Sequence, residues 1–293
     1  MTTRELQTSS WVPRAARPAD TSTARARNRW TLLLRGGFAG YVTVLVALPL
    51  LALVVRGLSV GPRGLWEAIT APVAADALVL SLVTSLIAAV ANGLMGLAIA
   101  WVLVRWDIPG RKLLSALVDL PFAIPTLVAG VLLVALYGPQ TTAGSVLSTY
   151  GLQIAFAKGG VVLALLFVTL PFVVRAVEPV LRELDHAEEE AATTLGASTW
   201  TTFRRVLLPP LLPALAAGTV QVFARSLAEF GSLAAVSGNI PHRTLTAPVY
   251  VLGEVERGEP ASAAAVSVVL LAVALALQLA SRSLVALVDK RRV

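Results

Sequence analysis

The sequence predicts an all-α protein, a polytopic membrane helix bundle of about six transmembrane helices. Three observations carry that prediction. Of 293 residues, 56% are hydrophobic and only 14% charged, and the mean hydropathy is +0.77. A soluble domain keeps roughly a quarter of its residues charged, so this chain cannot cover itself in water. Apolar runs of about twenty residues recur, the length a helix needs to cross a bilayer. Alternating segments about ten residues long, the mark of an outer-membrane barrel, are missing from the sequence.

Residues 1–30 are polar and carry Arg4, Arg14, Arg17, Arg25, Arg27 and Arg29. Such a segment cannot bury a core and reads as a disordered cytoplasmic tail. It is too long and polar for the basic head of a signal peptide, and the apolar run after it is long enough to span. An uncleaved first helix is therefore expected. The expected spans are 36–55, 78–104, 113–136, 159–174, 210–236 and 261–280. Four regions follow: the tail at 1–30, a first helix and outer loop at 31–75, a core at 76–285, and a basic cytoplasmic tail at 286–293. The core contains a large polar loop at 183–209.

Charge sets the orientation. With both termini in the cytoplasm, eighteen of the 24 Lys and Arg residues fall on cytoplasmic flanks and five outside. Basic residues concentrate on the cytoplasmic side of membrane proteins. The net charge of +7 thus reads as topology rather than as nucleic-acid binding. The polar loop faces the cytoplasm in this arrangement.

Several chemistries are excluded by what is missing. There is no cysteine, so no disulfide and no thiolate metal site. His186 and His242 lie far apart in different loops, and no metal site is expected. No Ser/His/Asp set or paired acids lie within the spans, so no catalytic residue is assigned. A secondary transporter would need its own coupling-ion site. The only deep acid is Glu229, with Asp119 nearer the cytoplasmic end. The chain has no G-x-x-x-x-G-K-[ST] phosphate loop and cannot cradle ATP itself.

The polar loop has its own organisation. Asp185, Glu188, Glu189 and Glu190 open a helical pattern that closes at Gly196, where glycine allows a left-handed turn. Ser198 is placed to cap a second short helix. Trp200, Phe203 and Leu207 share one apolar face of that helix. Pro209 and Pro210 are expected to stop it and to start the fifth span. The product is a helix–turn–helix at the membrane surface. It either rests on the headgroups or presents an apolar knob to a partner.

The loop resembles that of a known family. Glu190-Ala191-Ala192, three residues, Gly196, nine residues, Val206, one residue, Leu208-Pro209 matches the EAA loop of ABC importer permeases, with Val206 in place of Ile. The resemblance extends over about residues 76–290. Val118-Asp119-Leu120-Pro121-Phe122-Ala123-Ile124-Pro125-Thr126-Leu127-Val128-Ala129-Gly130 looks like the third span of sulfate/thiosulfate permease subunits of the CysT type. Pro171-Phe172-Val173-Val174-Arg175 and Arg225-Ser226-Leu227-Ala228-Glu229-Phe230-Gly231, followed by Ser237-Gly238-Asn239-Ile240, do the same. The sequence departs at Ala228, where Gly is expected, and at Pro241-His242-Arg243. Molybdate permeases are near relatives that share the loop.

The resemblance implies a MetI-like permease fold in a bacterial plasma membrane. It implies that the chain imports sulfate or thiosulfate by alternating access, powered by ATP and Mg on a separate ABC ATPase, present in two copies. It implies a second, homologous permease subunit and an extracytoplasmic sulfate/thiosulfate-binding protein that docks on the outer loops, with lipid around the bundle. Molybdate, tungstate or another oxyanion is the alternative cargo, and a secondary anion transporter the more distant one. On the same footing, Glu190, Ala191, Ala192, Leu195, Gly196, Val206, Leu208 and Pro209 form the coupling element.

The path candidates come from charges and helix breakers. Arg225 and Glu229 are four apart and can pair on one helix face. They read either as a gate or path element, or as a neutralised structural pair. Pro121, Pro125 and Gly130 interrupt the third span, either to line a cavity or to kink the helix for packing, and Thr126 is a path candidate among them. Asn239 is the remaining candidate.

Overall fold

The computed structural model describes residues 34–290, and all its described elements are helical. The expected tail at 1–30 and the final three residues lie outside the described residues. The chain divides into two compact units between Ala52 and Leu53. In chain order the helices are α1 (Leu34–Leu58), α2 (Gly61–Thr70), α3 (Pro72–Arg105), α4 (Arg111–Ala123), α5 (Thr126–Tyr137) and α6 (Thr142–Thr149). There follow α7 (Lys158–Glu183), α8 (His186–Thr194), α9 (Thr199–Leu227), α10 (Gly231–Val236), α11 (Ala247–Glu256) and α12 (Pro260–Lys290). Helix α12 thus runs past the expected boundary at 285.

Among the described residues five helices are long and apolar enough to cross a membrane: α1, α3, α7, α9 and the part of α12 up to Ala280. The bent pair α4–α5 makes a sixth crossing if counted as one span. Helix α1 is exposed along its apolar window and contains a π-helical turn at Thr43–Ala47.

The expected straight third span is not straight. Its halves meet at 112°. Ile124 precedes Pro125, and that position disfavours helical backbone. It takes extended angles instead, φ −90° and ψ 128°. Pro125 has no N–H to continue the ladder, and α5 starts afresh at Thr126. Pro121, by contrast, is buried within α4 and does not end it.

The expected second span is interrupted nowhere. Helix α3 runs unbroken through Asn92, because that residue finds partners on a neighbouring helix. Fully buried, Asn92 donates to the Leu166 carbonyl at 3.0 Å and to Thr169 Oγ1 at 2.9 Å on α7. Such bonds between apolar helices are typically worth about 1 kcal/mol. The core joins α3, α4, α7 and α9 through Ala89, Leu103, Val118, Val173, Val177 and Leu211. The outward face of α3 carries Val79, Val83, Leu86, Val90 and Leu94, a stripe at helical spacing suited to lipid.

Helix α7 extends nine residues past the expected end at 174, carrying Arg175, Glu178 and Arg182 into the helix. The expected fifth span, 210–236, is also redrawn. Helix α9 begins at Thr199 and ends at Leu227, and α10 is a separate short helix.

Candidate functional site

The polar loop folds as its spacing predicts. Asp185 caps α8 by accepting a bond from the Ala187 N–H at 2.9 Å. At the other end, Ala197 N–H donates to the Ala192 carbonyl at 3.0 Å, and Gly196 N–H to the Thr193 carbonyl at 2.9 Å. These two bonds close a Schellman turn, which requires a left-handed residue. Gly196 supplies it with φ +81°. Ser198 then caps α9 through the Thr201 N–H at 3.3 Å.

The prolines do not stop the second helix. Leu208 N–H reaches back to the Phe203 carbonyl, making a π-helical turn over Phe203–Leu207. That wider turn comes just before Pro209 and Pro210, which have no N–H for the ordinary ladder. The chain therefore passes from the polar loop to Leu227 as one helix of 29 residues, spanning about 43 Å.

The loop's apolar residues divide into two sets. Leu207 is buried, and Phe203 packs edge-on against Trp101 of α3 with ring centroids 5.4 Å apart. Leu195, at 87% exposed, stands free of the bundle, whereas Trp200, at 67%, stacks on Phe203 with ring centroids 5.6 Å apart. Glu190 and Ala191 are exposed beside them, while Ala192 and Val206 are half-buried. Leu208 is half-buried and Pro209 exposed.

An anchor that sequence reasoning missed fixes α8 to the bundle. Arg105, the last residue of α3, meets Glu189 Oε1 at 2.5 Å, and its Nη1 lies 2.9 Å from His186 Nδ1. The Arg105 side chain is 8% exposed and sits 5.6 Å from the Trp101 ring centroid. Thus Glu189 faces inward, and its neighbour Glu190 faces out.

A second missed cluster ties α4 to α7. Arg175 donates to both carboxylate oxygens of Asp119, at 2.7 and 2.5 Å, and to Ser115 Oγ at 2.8 Å. It also meets Glu178, which Arg182 reaches at 2.5 Å. Residues 175, 178 and 182 share one helix face by their spacing. Extending the fourth span beyond 174 would have exposed that pattern.

The path candidates are largely brought together where two helices break. Arg225 Nη1 and Glu229 Oε2 pair at 2.6 Å, as their spacing predicts. Glu229 lies beyond the end of α9, however, and not within an unbroken span. It is 1% exposed, and its other oxygen accepts from both the N–H and Oγ of Ser232, at 3.0 Å each. Those bonds hold α10 to the pair.

Against this break rests the break in α4–α5. A Cβ on Gly130 would lie 2.4 Å from the Ser232 carbonyl oxygen, so only glycine permits the approach. A Cβ on Gly231 would lie 2.3 Å from Thr126 Oγ1. Pro125, Thr126 and Gly130 therefore share a locale with Glu229. Asn239 serves the loop beyond α10: it accepts from Ser237 Oγ at 2.8 Å and donates to the Ala234 carbonyl at 3.0 Å. No cluster of three metal-ligating side chains is found among the described residues.

Comparison with known proteins agrees with this architecture. Residues 92–293 match the family described as "Binding-protein-dependent transport system inner membrane component". The chain is 45% identical to a probable sulfate transport system permease protein cysT of Nephroselmis olivacea, covering 86% of this chain and 87% of that one. It is 40% identical to the sulfate transport system permease protein CysT of Escherichia coli, covering 81% and 86%. Among solved structures, a bacterial ABC transporter importing alginate superposes with a TM-score of 0.71 at 17% identity, covering 91% of this chain and 97% of that one. An inward-facing methionine ABC transporter gives 0.54 at 21%, covering 82% and 98%. These share the fold, all-helical and of ABC importer permease type. The chain is an integral membrane protein and belongs to the binding-protein-dependent transport system inner membrane components, in their CysT permease branch.

Proposed function

We propose that this chain is the permease subunit of an ATP-driven sulfate/thiosulfate importer. The observation that carries the proposal is the loop at 183–209: a capped, rigidly anchored helix pair that holds Leu195 and Glu190 away from its own bundle. The exposed Leu195 and Ala191 beside Glu190, within a loop that matches the EAA pattern, support a docking role. Relatives 40–45% identical over most of the chain carry the sulfate permease name, which supports the cargo.

In this reading α8 is the coupling helix. Its apolar knob of Ala191, Ala192 and Leu195 enters a groove on a separate ATPase, one of two copies, which binds ATP and Mg. Glu190 makes the polar contact there. A second, homologous permease completes the pore, and an extracytoplasmic binding protein delivers the anion. Both termini and the coupling loop face the cytoplasm.

Movement of the loop has two rigid routes into the bundle. One is the Arg105–Glu189 pair at the end of α3. The other is α9 itself, continuous from the loop to Arg225. Helix displacement along α9 acts on the Arg225–Glu229 pair and hence on α10 and the Gly130 contact. A gate made of abutting helix breaks can switch between two packings, which is the requirement for alternating access. A neutralised Arg225 also avoids trapping a dianion in the path.

The test is uptake of labelled sulfate by the assembled transporter, with thiosulfate and molybdate as competitors. Competition by thiosulfate, and loss of sulfate uptake on deletion of the chain, are expected. Loss of molybdate or tungstate uptake alone would assign the other oxyanion cargo. Transport without any ATPase would assign a secondary transporter.

A further inference from the structure

At the end of α7 opposite the coupling loop, two elements gather basic side chains. Lys158 opens α7, and His242 and Arg243 lie on the loop after α10. Asp76, near the start of α3, meets His242 Nδ1 at 2.6 Å. Two cavities of about 360 and 510 Å³ share Lys158, His242 and Arg243 in their walls.

The loop is built rather than slack. Asn239 and His242 both hold positive φ, 53° and 61°. Non-glycine residues adopt that region at a cost, so surrounding bonds must hold them there. Asn239 is fastened by Ser237 and Ala234, Ile240 N–H donates to Thr244 Oγ1 at 3.2 Å, and His242 is fastened by Asp76. The His242 side chain and the Arg243 backbone are thereby held beside the space that Lys158 also lines.

The charge balance differs from that of the bundle interior. There, Arg105, Arg175, Arg182 and Arg225 each face a carboxylate. Among the described residues Lys158 and Arg243 have neither an ion-pair nor a hydrogen-bond partner on their side chains. Asp76 sits on the histidine and leaves both permanent cations unmatched.

We propose that Lys158, His242 and Arg243 form a shallow receiving site for a divalent tetrahedral oxyanion, with Asp76 positioning His242 and tempering the positive field. The proposal rests on the oxyanion-permease reading above and adds the place where the anion first meets the chain. Two cations match a dianion's charge. Their exposure keeps binding weak and screened by salt, which suits a path that must release its cargo.

The test uses the complete transporter in proteoliposomes, with loaded binding protein and sulfate as the probe. The K158Q/R243Q double variant is compared with K158R/R243K. Uptake per ATP hydrolysed is measured beside the stimulation of ATPase by the loaded binding protein. Neutralisation should lower sulfate uptake per ATP by about fivefold, the loss of a partly screened pair of charge contacts. Stimulation should stay within about twofold, and the charge-conserving variant should keep uptake. Unchanged uptake per ATP in K158Q/R243Q overturns the site. A parallel loss of stimulation also overturns it, because the residues then serve binding-protein docking, and so does an equal loss in K158R/R243K. A wild-type complex that carries a different oxyanion overturns only the sulfate assignment, and the same comparison is then read with that ion. A wild-type complex that carries no oxyanion overturns both readings.

Discussion

Glu189 on α8 and Arg105 at the end of α3 meet at 2.5 Å, and that pair ties the exposed loop to the membrane bundle. Glu189→Gln leaves the Arg105 guanidinium buried without its counter-charge. The cost is about 2 kcal/mol, below that of a fully buried pair because Glu189 retains 26% of its exposure. The expected outcome is a loosened α8 and partial uncoupling. Transport per ATP hydrolysed should fall several-fold while the ATPase subunit still co-purifies. Unchanged coupling in Glu189→Gln would show that the pair transmits nothing.

Gly196 holds φ +81° at the Schellman turn. A β-branched side chain there costs roughly 1–3 kcal/mol of strain. Gly196→Val should therefore misdirect Leu195 and abolish ATPase association, measured by co-purification, while membrane insertion persists. Gly196→Ala should show a milder loss. Nothing lies within 4 Å of an added Cβ, so the effect is one of backbone conformation and not of clash.

Leu195 touches solvent over most of its surface, so its own bundle gains little from it. Leu195→Asp should leave the melting temperature of the isolated subunit within about 1 °C, as exposed substitutions usually do. The same change should weaken ATPase binding at least tenfold in a pull-down titration. A stability loss without a binding loss would place Leu195 in the fold instead of the interface.

Glu229 bridges Arg225 and the start of α10. Glu229→Gln keeps an acceptor for Ser232 but leaves Arg225 without its counter-charge. Uptake should fall, and ATP-independent leak of sulfate from loaded proteoliposomes should rise. Arg225→Met with Glu229→Leu removes both charges and should restore part of the stability but not the gating. An intact barrier in both variants would assign the pair a structural role.

Gly130 lies where a methyl group would meet the Ser232 carbonyl oxygen at 2.4 Å. Gly130→Ala must push α5 from α10, at a cost of about 1–3 kcal/mol. Detergent-solubilised protein should melt several degrees lower. Normal melting with normal uptake would mean that the two helix breaks can part freely.

Much of this was legible in the sequence because local rules decide it. Asp185, Gly196 and Ser198 are caps and turns whose chemistry is complete within a few residues, and each formed as expected. Apolar length located the spans for the same reason. The misses are contests between local and tertiary effects. Pro209 reads as a helix stop, yet a π-helical turn absorbs it. Asn92 donates to Thr169 and Leu166 on another helix, a pairing that no local pattern marks. Arg105 and Glu189 are 84 positions apart, and Arg175 and Asp119 are 56 apart, so no periodicity connects them. Pro125 reads as a breaker, but the 112° angle it produces depends on what α5 packs against.

The coupling role of the loop can be tested with a single thiol, since the chain has no cysteine of its own. Leu195→Cys places one reactive group at the tip of the exposed turn. Its rate of labelling by a membrane-impermeant maleimide is measured in inside-out vesicles, with and without the ATPase subunit. Rapid labelling of the permease alone is expected, with about tenfold protection once the ATPase is bound and no labelling from the outer face of intact cells. Equal labelling with and without the ATPase, or labelling from outside, would contradict the coupling role.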